Sequence, residues 1–159
     1  MNDRHPMTPV GYLRLQEDLR YHREVLRPKI VRDIEEARAH GDISENSEYE
    51  DAKHRQGLCE ARVRELETKL ALAEVIEVST LPPSGRVVFG ATVVLEDQET
   101  DEQVRYRIVG VDEADVRQGL ISIHSPIARA LVGKQAGDES VVQAPGGTRR
   151  FTITDVLYV

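Results

Sequence analysis

The first half of the chain repeats its apolar residues at intervals of three and four, which is the period of an amphipathic helix. Thr8 and Pro9 suit the N-cap and the first position of such a helix. The stripe changes phase near Pro28, where we expect a bend instead of a break, because proline removes one backbone hydrogen bond. The stripe comprises Tyr12, Leu15, Leu19, His22, Leu26, Ile30, Ile34 and Ala37.

A second stripe follows with sustained heptad spacing, which is typical of a coiled coil. Its positions are Tyr49, Ala52, Gln56, Cys59, Val63, Leu66, Leu70 and Ala73. Two such helices joined by a few residues bury their stripes by folding back on each other. The pattern therefore predicts an antiparallel coiled-coil hairpin in residues 1–79, with a mobile lead-in at residues 1–7 and an acidic tip at residues 41–47.

The second half changes to short β-branched runs separated by Gly, Asp and Pro turns. Ser125 and Pro126 suit the cap and first position of a short helix, Ile127–Leu131. We therefore predict an α+β protein in which residues 80–159 form a compact domain with a mostly antiparallel sheet. The expected strands are Val87–Phe89, Thr92–Leu95, Val104–Val109, Leu120–Ile123, Ser140–Val142 and Phe151–Val159.

Charge and composition limit the possible functions. The net charge is −7, divided as −4 in residues 1–79 and −3 in residues 80–159. A protein that grips bare nucleic acid needs a basic face, so we expect any nucleic-acid contact to be made through a partner. Cys59 is the only cysteine, which excludes an internal disulfide and favours a reducing compartment. The sequence shows no signal peptide and no apolar run long enough for a bilayer, so we expect a cytoplasmic protein without membrane contact.

The predicted tip concentrates carboxylates. Residues 41–51 contain five acids and no cation, and basic residues flank them. The acids are Asp42, Glu45, Glu48, Glu50 and Asp51, and the flanking residues are Arg38, His40, Lys53, His54 and Arg55. One interpretation is helix capping, because Asp42 and Glu45 have the spacing of a capping box and acids are favourable near a helix N-terminus.

The other interpretation is metal chemistry. Asp42 and Glu45 could share one Mg²⁺, but Mg²⁺ takes six oxygen ligands and usually keeps several for water or substrate phosphates. Two acids on an exposed tip are therefore half a site. If they take part in catalysis, a partner protein must supply the remaining ligands, and a long arm is suited to delivering them into a deep pocket.

The chain resembles the bacterial transcript cleavage factors GreA and GreB over almost its full length, and GreA more closely. Several separate motifs in the same order carry the resemblance. They are Gly41-Asp42, Glu45-Asn46 and Glu48-Tyr49 at the tip, then Phe89–Val93, Tyr106–Gly110, Asp112–Asp115, Ser125–Leu131 and Pro145–Gly147.

The resemblance implies a C-terminal domain with an FKBP-like fold that docks at the rim of the secondary channel of bacterial RNA polymerase. The hairpin would reach the active centre, where Asp42 and Glu45 would help to hold a Mg²⁺ shared with the polymerase and not bound by this chain alone. The polymerase would then cut the 3′ end of backtracked nascent RNA. The protein would be an accessory transcription elongation factor and not an enzyme by itself.

The resemblance also assigns residues away from the two acids. Arg38 and Lys53 correspond to basic positions that meet the extruded RNA, and Ser125 and Pro126 to the segment that docks on the polymerase. Ser44 and His124 depart from the usual residues at their positions.

Three other functions remain possible from the sequence. The chain could be a Gre-like competitor that occupies the channel without promoting cleavage, which the intact pair of acids argues against. It could be a free-standing metal nuclease, although only half a ligand set exists. It could be a coiled coil with a peptidyl-prolyl isomerase domain, although few aromatic residues are available for an apolar pocket. We expect a monomer, because an antiparallel hairpin satisfies its own seam.

Overall fold

The computed structural model describes residues 4–41 and 46–159. They pack as two compact units, one formed by Tyr12–Ala73 and the other by the described residues up to Gly11 together with Glu74–Val159. The first residues therefore pack with the second half of the chain, which the sequence analysis did not predict. The predicted functional boundary between residues 79 and 80 stays a prediction.

The first unit is a helical hairpin. Helix α1 spans Pro9–Tyr21, a π-helical turn spans His22–Leu26, and α2 spans Arg27–Ala39. Helix α3, Ser47–Leu72, forms the other arm. Ion pairs show that the arms are antiparallel, because from Arg23 onward the partner numbers in α3 fall as those in the first arm rise. These pairs are Arg23–Glu67, Arg27–Glu60 and Asp33–Arg55, and Asp18–Arg62 also joins the two arms.

The predicted stripes meet in the hairpin core. Ile30 and Ile34 of α2 pack with Ala52, Cys59 and Val63 of α3. All five side chains are buried. The heptad spacing thus identified the buried face of both arms, and the helical hairpin is confirmed.

Pro28 does not break the first arm. It lies in the first turn of α2, and the residues before it, Leu26 and Arg27, keep right-handed helical dihedral angles. The Arg27 N–H donates to the His22 carbonyl, five residues back, which defines the π turn. Proline has no N–H and crowds the carbonyl four residues back, so the wider turn lies where an α-helix would be strained. The predicted change of phase therefore corresponds to a π turn just before the proline.

The second unit is built on a five-stranded sheet. Its strands are β3 (Thr92–Asp97), β4 (Gln103–Val109), β5 (Leu120–Ser122), β6 (Glu139–Ala144) and β7 (Gly147–Leu157), in the order β5-β4-β3-β7-β6. All neighbouring pairs are antiparallel except β4 with β5. Helix α4, Pro126–Leu131, contributes Ala128 and Leu131 to the core of this unit. The mostly antiparallel α+β domain is confirmed.

Two local predictions are wrong. Val87–Phe89 is not a strand: Val87 is fully buried, but its N–H and carbonyl bond to Lys134 and Gly133 in a loop. The lead-in also has structure, because β1 (His5–Met7) pairs with β2 (Ala73–Val75) in a two-stranded sheet. Burial of Met7 stabilises this segment.

Among the helices of residues 4–41 and 46–159, none has the length and apolar character needed to cross a membrane.

Candidate functional site

The candidate site lies where the two arms of the hairpin join. Helix α2 ends at Ala39 and α3 begins at Ser47, so residues 40–46 connect them. Asp42 and Glu45, the predicted catalytic and metal-binding pair, belong to this connection but lie outside the described residues. Gly41 has a φ of 118°, a left-handed value that favours glycine at the exit from α2.

Asn46 is the N-cap of α3. Its side-chain oxygen accepts hydrogen bonds from the N–H groups of Glu48 at 3.0 Å and Tyr49 at 3.2 Å. Its side-chain nitrogen donates to the carbonyl oxygen of Ala37 in α2 at 2.8 Å. One side chain therefore caps the second arm and ties it to the first.

This role of Asn46 was not predicted from the sequence. Asp42 and Glu45 were considered as a capping box, but the cap of α3 is Asn46. The signal was present, because asparagine is among the preferred N-cap residues and two acids, Glu48 and Glu50, stand in the first turn of the helix.

Arg38 and Lys53, the predicted RNA contacts, both lie exposed on the arms near the connection. The Arg38 guanidinium carbon is 5.7 Å from the centre of the Tyr49 ring, a cation–π arrangement that joins α2 to α3. The Lys53 ammonium donates to the side-chain oxygen of Gln56 at 2.9 Å. Both cations thus remain at the surface within reach of a partner.

Arg55, the last of the five flanking basic residues, is not free. Its guanidinium bonds Asp33 of α2 and Asp51 of α3, each at 3.1 Å. These hydrogen bonds, that to Asp33 above all, raise the pKa of Arg55. The Arg55 side chain and four carboxylates line a groove of about 240 Å³. The groove is lined by Asp33, Glu36, Ala37, Glu48, Asp51 and Arg55.

The surroundings of the tip are therefore mixed in charge. Arg55 was expected to belong to a basic flank, but it pairs with carboxylates from both arms. Within the described residues, no group of three or more His, Cys, Asp or Glu side chains is placed to hold a metal ion.

The predicted docking residues lie in the second unit. Ser125 is the N-cap of α4: its hydroxyl accepts from the Ala128 N–H at 3.2 Å and donates to the Ser122 carbonyl at 2.7 Å. Pro126 and the preceding His124 are exposed. Ser125 therefore has a structural role in shaping the turn, and Pro126 presents the accessible surface.

Comparison with known protein families identifies both halves of the chain. Residues 5–75 match the family described as transcription elongation factor, N-terminal. Residues 82–158 match the family described as transcription elongation factor, GreA/GreB, C-term. The chain belongs to the GreA/GreB family of transcription elongation factors.

Relatives within the GreA/GreB family match along the whole chain. A transcription elongation factor GreA from Methylococcus capsulatus is 53% identical over 154 residues, covering 97% of this chain and 98% of the relative. One from Haemophilus influenzae is 51% identical over 154 residues with the same coverage. The predicted resemblance to GreA is therefore confirmed.

Solved structures of the family also align over most of the chain. GreA factor homolog 1 of Thermus thermophilus has 30% identity and a TM-score of 0.43, and the alignment covers 97% of this chain and 99% of that one. A GreA/GreB elongation factor from Nitrosomonas europaea has 24% identity and a TM-score of 0.43, with coverage of 98% and 100%.

Proposed function

We propose that this chain binds bacterial RNA polymerase in its secondary channel and stimulates cleavage of the 3′ end of backtracked RNA, which rescues arrested elongation complexes. The observation that carries the proposal is the position of Asp42 and Glu45 in a chain about half identical to GreA proteins. Both acids stand in the short connection between α2 and α3. The chain acts as an accessory factor and contributes carboxylates to a reaction of the polymerase.

The chemistry of the two acids supports this role. Carboxylate oxygens are ligands that Mg²⁺ prefers, and two of them leave most of its six positions to other groups. Asp42 and Glu45 would hold a Mg²⁺ together with polymerase ligands. When bound, such an ion lowers the pKa of an attacking water and screens developing negative charge. Because Asn46 caps α3, capping does not require either acid.

The length of the arm supports delivery of these acids over a distance. Helix α3 has 26 residues, which at about 1.5 Å per residue gives an arm of roughly 39 Å. The buried seam and the cross-arm ion pairs hold the two helices together over this length. A stiff arm places its tip with little loss of conformational entropy on binding.

The exposed cations near the tip suit contact with RNA. Arg38 and Lys53 would meet phosphates of the extruded 3′ segment inside the polymerase complex, so nucleic acid is met through the polymerase. In the second unit, whose fold we propose to be FKBP-like, the surface around Ser125 and Pro126 would dock on the channel rim. The protein would act as a monomer in the cytoplasm.

The decisive experiment measures cleavage in bacterial RNA polymerase halted in a backtracked state, with Mg²⁺ present. We expect Asp42→Asn and Glu45→Gln each to reduce the stimulated rate by about 100-fold or more, the scale of losing one preorganised electrostatic group at a reacting centre. Glu35→Gln, at an exposed site in α2, is the matched control and should cleave normally.

Binding to polymerase, measured in the same samples, separates the alternatives. The acid variants should bind as the wild type does. Normal cleavage by both variants would refute the assignment of the two acids. A wild-type chain that binds and does not stimulate cleavage would identify a competitor instead, and RNA hydrolysis without polymerase would identify a nuclease.

A further inference from the structure

The carboxylate of Glu113 gathers three donors from two distant parts of the chain. Its Oε2 accepts from the Gly110 N–H at 2.8 Å and from the Thr8 N–H at 3.1 Å. Its Oε1 accepts from the Thr8 hydroxyl. Glu113 lies in the motif Asp112–Asp115, which contributed to the family resemblance but received no role from it.

Thr8 extends this network into the first helix. Its side chain is 3% exposed, and its hydroxyl oxygen accepts from the Gly11 N–H at 3.2 Å in the first turn of α1. Hydrogen bonds thus run from Gly110 through Glu113 and Thr8 to Gly11. All four residues belong to the unit that contains the sheet.

Two glycines allow the close approach. A Cβ added to Gly11 would overlap the carboxylate of Glu113, and one added to Gly110 would lie 2.6 Å from the Pro6 carbonyl oxygen. Residues 6–11, which we name the root segment, therefore press directly against the turn at residues 110–113. The Met7 carbonyl also accepts from the Ile76 N–H at 2.9 Å, which holds the root segment from a second side.

We propose that Glu113 is a positioning residue for the activity of the hairpin: it anchors the root segment, and through it the start of the arm. This inference rests on the proposed function. Helix α1 runs without interruption from Pro9 to Tyr21 and thus carries the chain from the root segment into the hairpin unit. A small change in the direction of α1 at the root segment therefore produces a larger displacement at the tip of the hairpin.

The anchor predicts a particular kinetic signature. Docking residues on the second unit do not depend on Glu113, so the affinity for polymerase should change little. The acids at the tip must reach a defined position for cleavage, and misplacement of reacting groups by about 1 Å can cost about 100-fold in rate. Loss of the anchor should therefore lower the cleavage rate at saturating factor more than it changes the half-saturating concentration.

The first measurement is amide hydrogen exchange in the free full-length protein. Glu113→Gln keeps the size of the side chain but removes the charge that strengthens the bonds from the two N–H groups, and its NH₂ group takes the place of the oxygen that accepts from the Thr8 hydroxyl. We expect exchange at Thr8 and Gly110 to rise about tenfold, because a hydrogen bond to a charged acceptor contributes about 1.5 kcal/mol or more and the neutral amide oxygen is a weaker acceptor. Glu99→Gln, an exposed position of the same unit, is the control and should leave both amides unchanged.

The second measurement is transcript cleavage with backtracked polymerase over a range of factor concentrations. For Glu113→Gln and Thr8→Val we expect the saturated rate to fall about tenfold, with a change of less than about threefold in the half-saturating concentration. Thr8→Ser retains the hydroxyl and should restore the wild-type rate. Such a rescue distinguishes positioning by this hydrogen bond from a general loss of folding.

A double-mutant cycle tests whether Gly11 and Glu113 act through the same contact. Gly11→Ala should displace Glu113 by steric overlap and reproduce the effect of Glu113→Ala on the saturated rate. Combining the two should be no worse than Glu113→Ala alone, because the overlapping carboxylate is gone. Additive losses would overturn the proposed contact.

The remaining outcomes are also decisive. Unchanged exchange at Thr8 in Glu113→Gln would show that Glu113 does not anchor the root segment. Faster exchange with a normal saturated cleavage rate would show an anchor without a positioning role. A wild-type protein that fails to stimulate cleavage would refute the proposed function, and the positioning role with it, while exchange would still decide whether the anchor exists.

Discussion

Asn46 shows how much one side chain decides at the junction of the two arms. Its side-chain oxygen accepts hydrogen bonds at the start of α3, and its side-chain nitrogen donates one to the end of α2. The two roles of the amide can therefore be separated by substitution. The sequence contained the preference of asparagine for this position. The bond to Ala37 depends on the antiparallel partner and was beyond local sequence rules.

Two substitutions of Asn46 should separate the energy of the helix cap from that of the hydrogen bond to Ala37. Asn46→Asp retains the cap and loses the donor to Ala37, whereas Asn46→Ala loses both. We expect Asn46→Ala to lower the free energy of unfolding of the hairpin by about 1–2 kcal/mol and Asn46→Asp by less. Urea unfolding followed by circular dichroism at a helical wavelength measures both, and equal losses would contradict the division.

Gly57 offers a stabilising change. It lies exposed inside α3, and nothing in the described part of the chain lies within 4 Å of the place a Cβ would take. Gly57→Ala should raise the free energy of unfolding by about 0.5–1 kcal/mol, because alanine loses less backbone entropy in a helix.

Gly41 provides the contrast in the same hairpin. Its φ of 118° is one that alanine rarely adopts, so Gly41→Ala should destabilise by about 1 kcal/mol or more. The same unfolding experiment compares the two substitutions. A loss of stability in Gly57→Ala would show a constraint on α3 that the packing does not reveal.

At the scale of elements, the features predicted correctly from the sequence are those that a periodic pattern of apolar residues determines. Both helical stripes were placed correctly because burial of one face imposes a period. The strand prediction at Val87 was wrong because a fully buried loop residue has the same apolar character in the sequence as a strand residue. The pairing of β1 with β2 was not predicted because it joins segments almost seventy residues apart, and local patterns do not encode such contacts.

The end of β3 carries an ion pair between a buried carboxylate, that of Asp97, and the exposed guanidinium of Arg149. Asp97 is 6% exposed, accepts from the N–H groups of Glu99 and Thr100, and bonds the Arg149 guanidinium at 2.8 Å. Arg149 in turn stacks on Phe151, with 5.0 Å between its guanidinium carbon and the ring centre. The hydrogen bond from Arg149, followed by that from Glu99, lowers the pKa of Asp97.

This lowered pKa predicts a pH dependence. In the unfolded chain the Asp97 carboxyl titrates near its ordinary value of about 3.9, above its folded pKa. Its contribution to stability is therefore present above about pH 4 and is lost as the pH falls through the folded pKa. We expect Asp97→Asn to be less stable than the wild type at pH 7 and the difference to shrink by pH 3.

Urea unfolding at pH 7, 5 and 3, followed by the amide NMR signals of β7, measures this difference. Glu99→Gln, in the same turn, removes a charge without touching the Asp97–Arg149 pair and is the matched control. A gap between Asp97→Asn and the wild type that stays constant across the range would show that the charge of Asp97 does not contribute.

At the scale of the whole molecule, the proposed function depends on the reach of the hairpin. Deleting Ile30–Glu36 together with Ala52–Leu58 removes one heptad from each arm. Both members of the Asp33–Arg55 ion pair are removed, so neither charge is left unpaired. The arm would shorten by about 10 Å. We expect stimulated cleavage to be lost while binding to polymerase persists.

Restoring a different heptad of the same apolar pattern to each arm is the control for this deletion. It should recover cleavage, because length and not local sequence is the property under test. Normal cleavage by the shortened protein would contradict the delivery of the acids by a rigid arm.

The candidate site was predictable only in part. Asp42 and Glu45 were chosen because charge clusters are visible in sequence, and Arg38 and Lys53 because of the family resemblance; both assignments stay predictions. The pairing of Arg55 with Asp33 and Asp51 and the anchoring of Thr8 by Glu113 were not predictable, because each depends on side chains brought together by tertiary packing.

The π turn at His22–Leu26 determines where the first arm can lose a single residue. Each residue advances an α-helix by about 100° around its axis, so a π turn absorbs one surplus residue without twisting what precedes it out of place. Excising a single residue there would convert the turn into ordinary α-helix and leave Tyr12, Leu15 and Leu19 on the face that they now occupy. The first arm should therefore tolerate loss of one residue at the π turn, whereas loss of one residue elsewhere would rotate everything before it by about 100°.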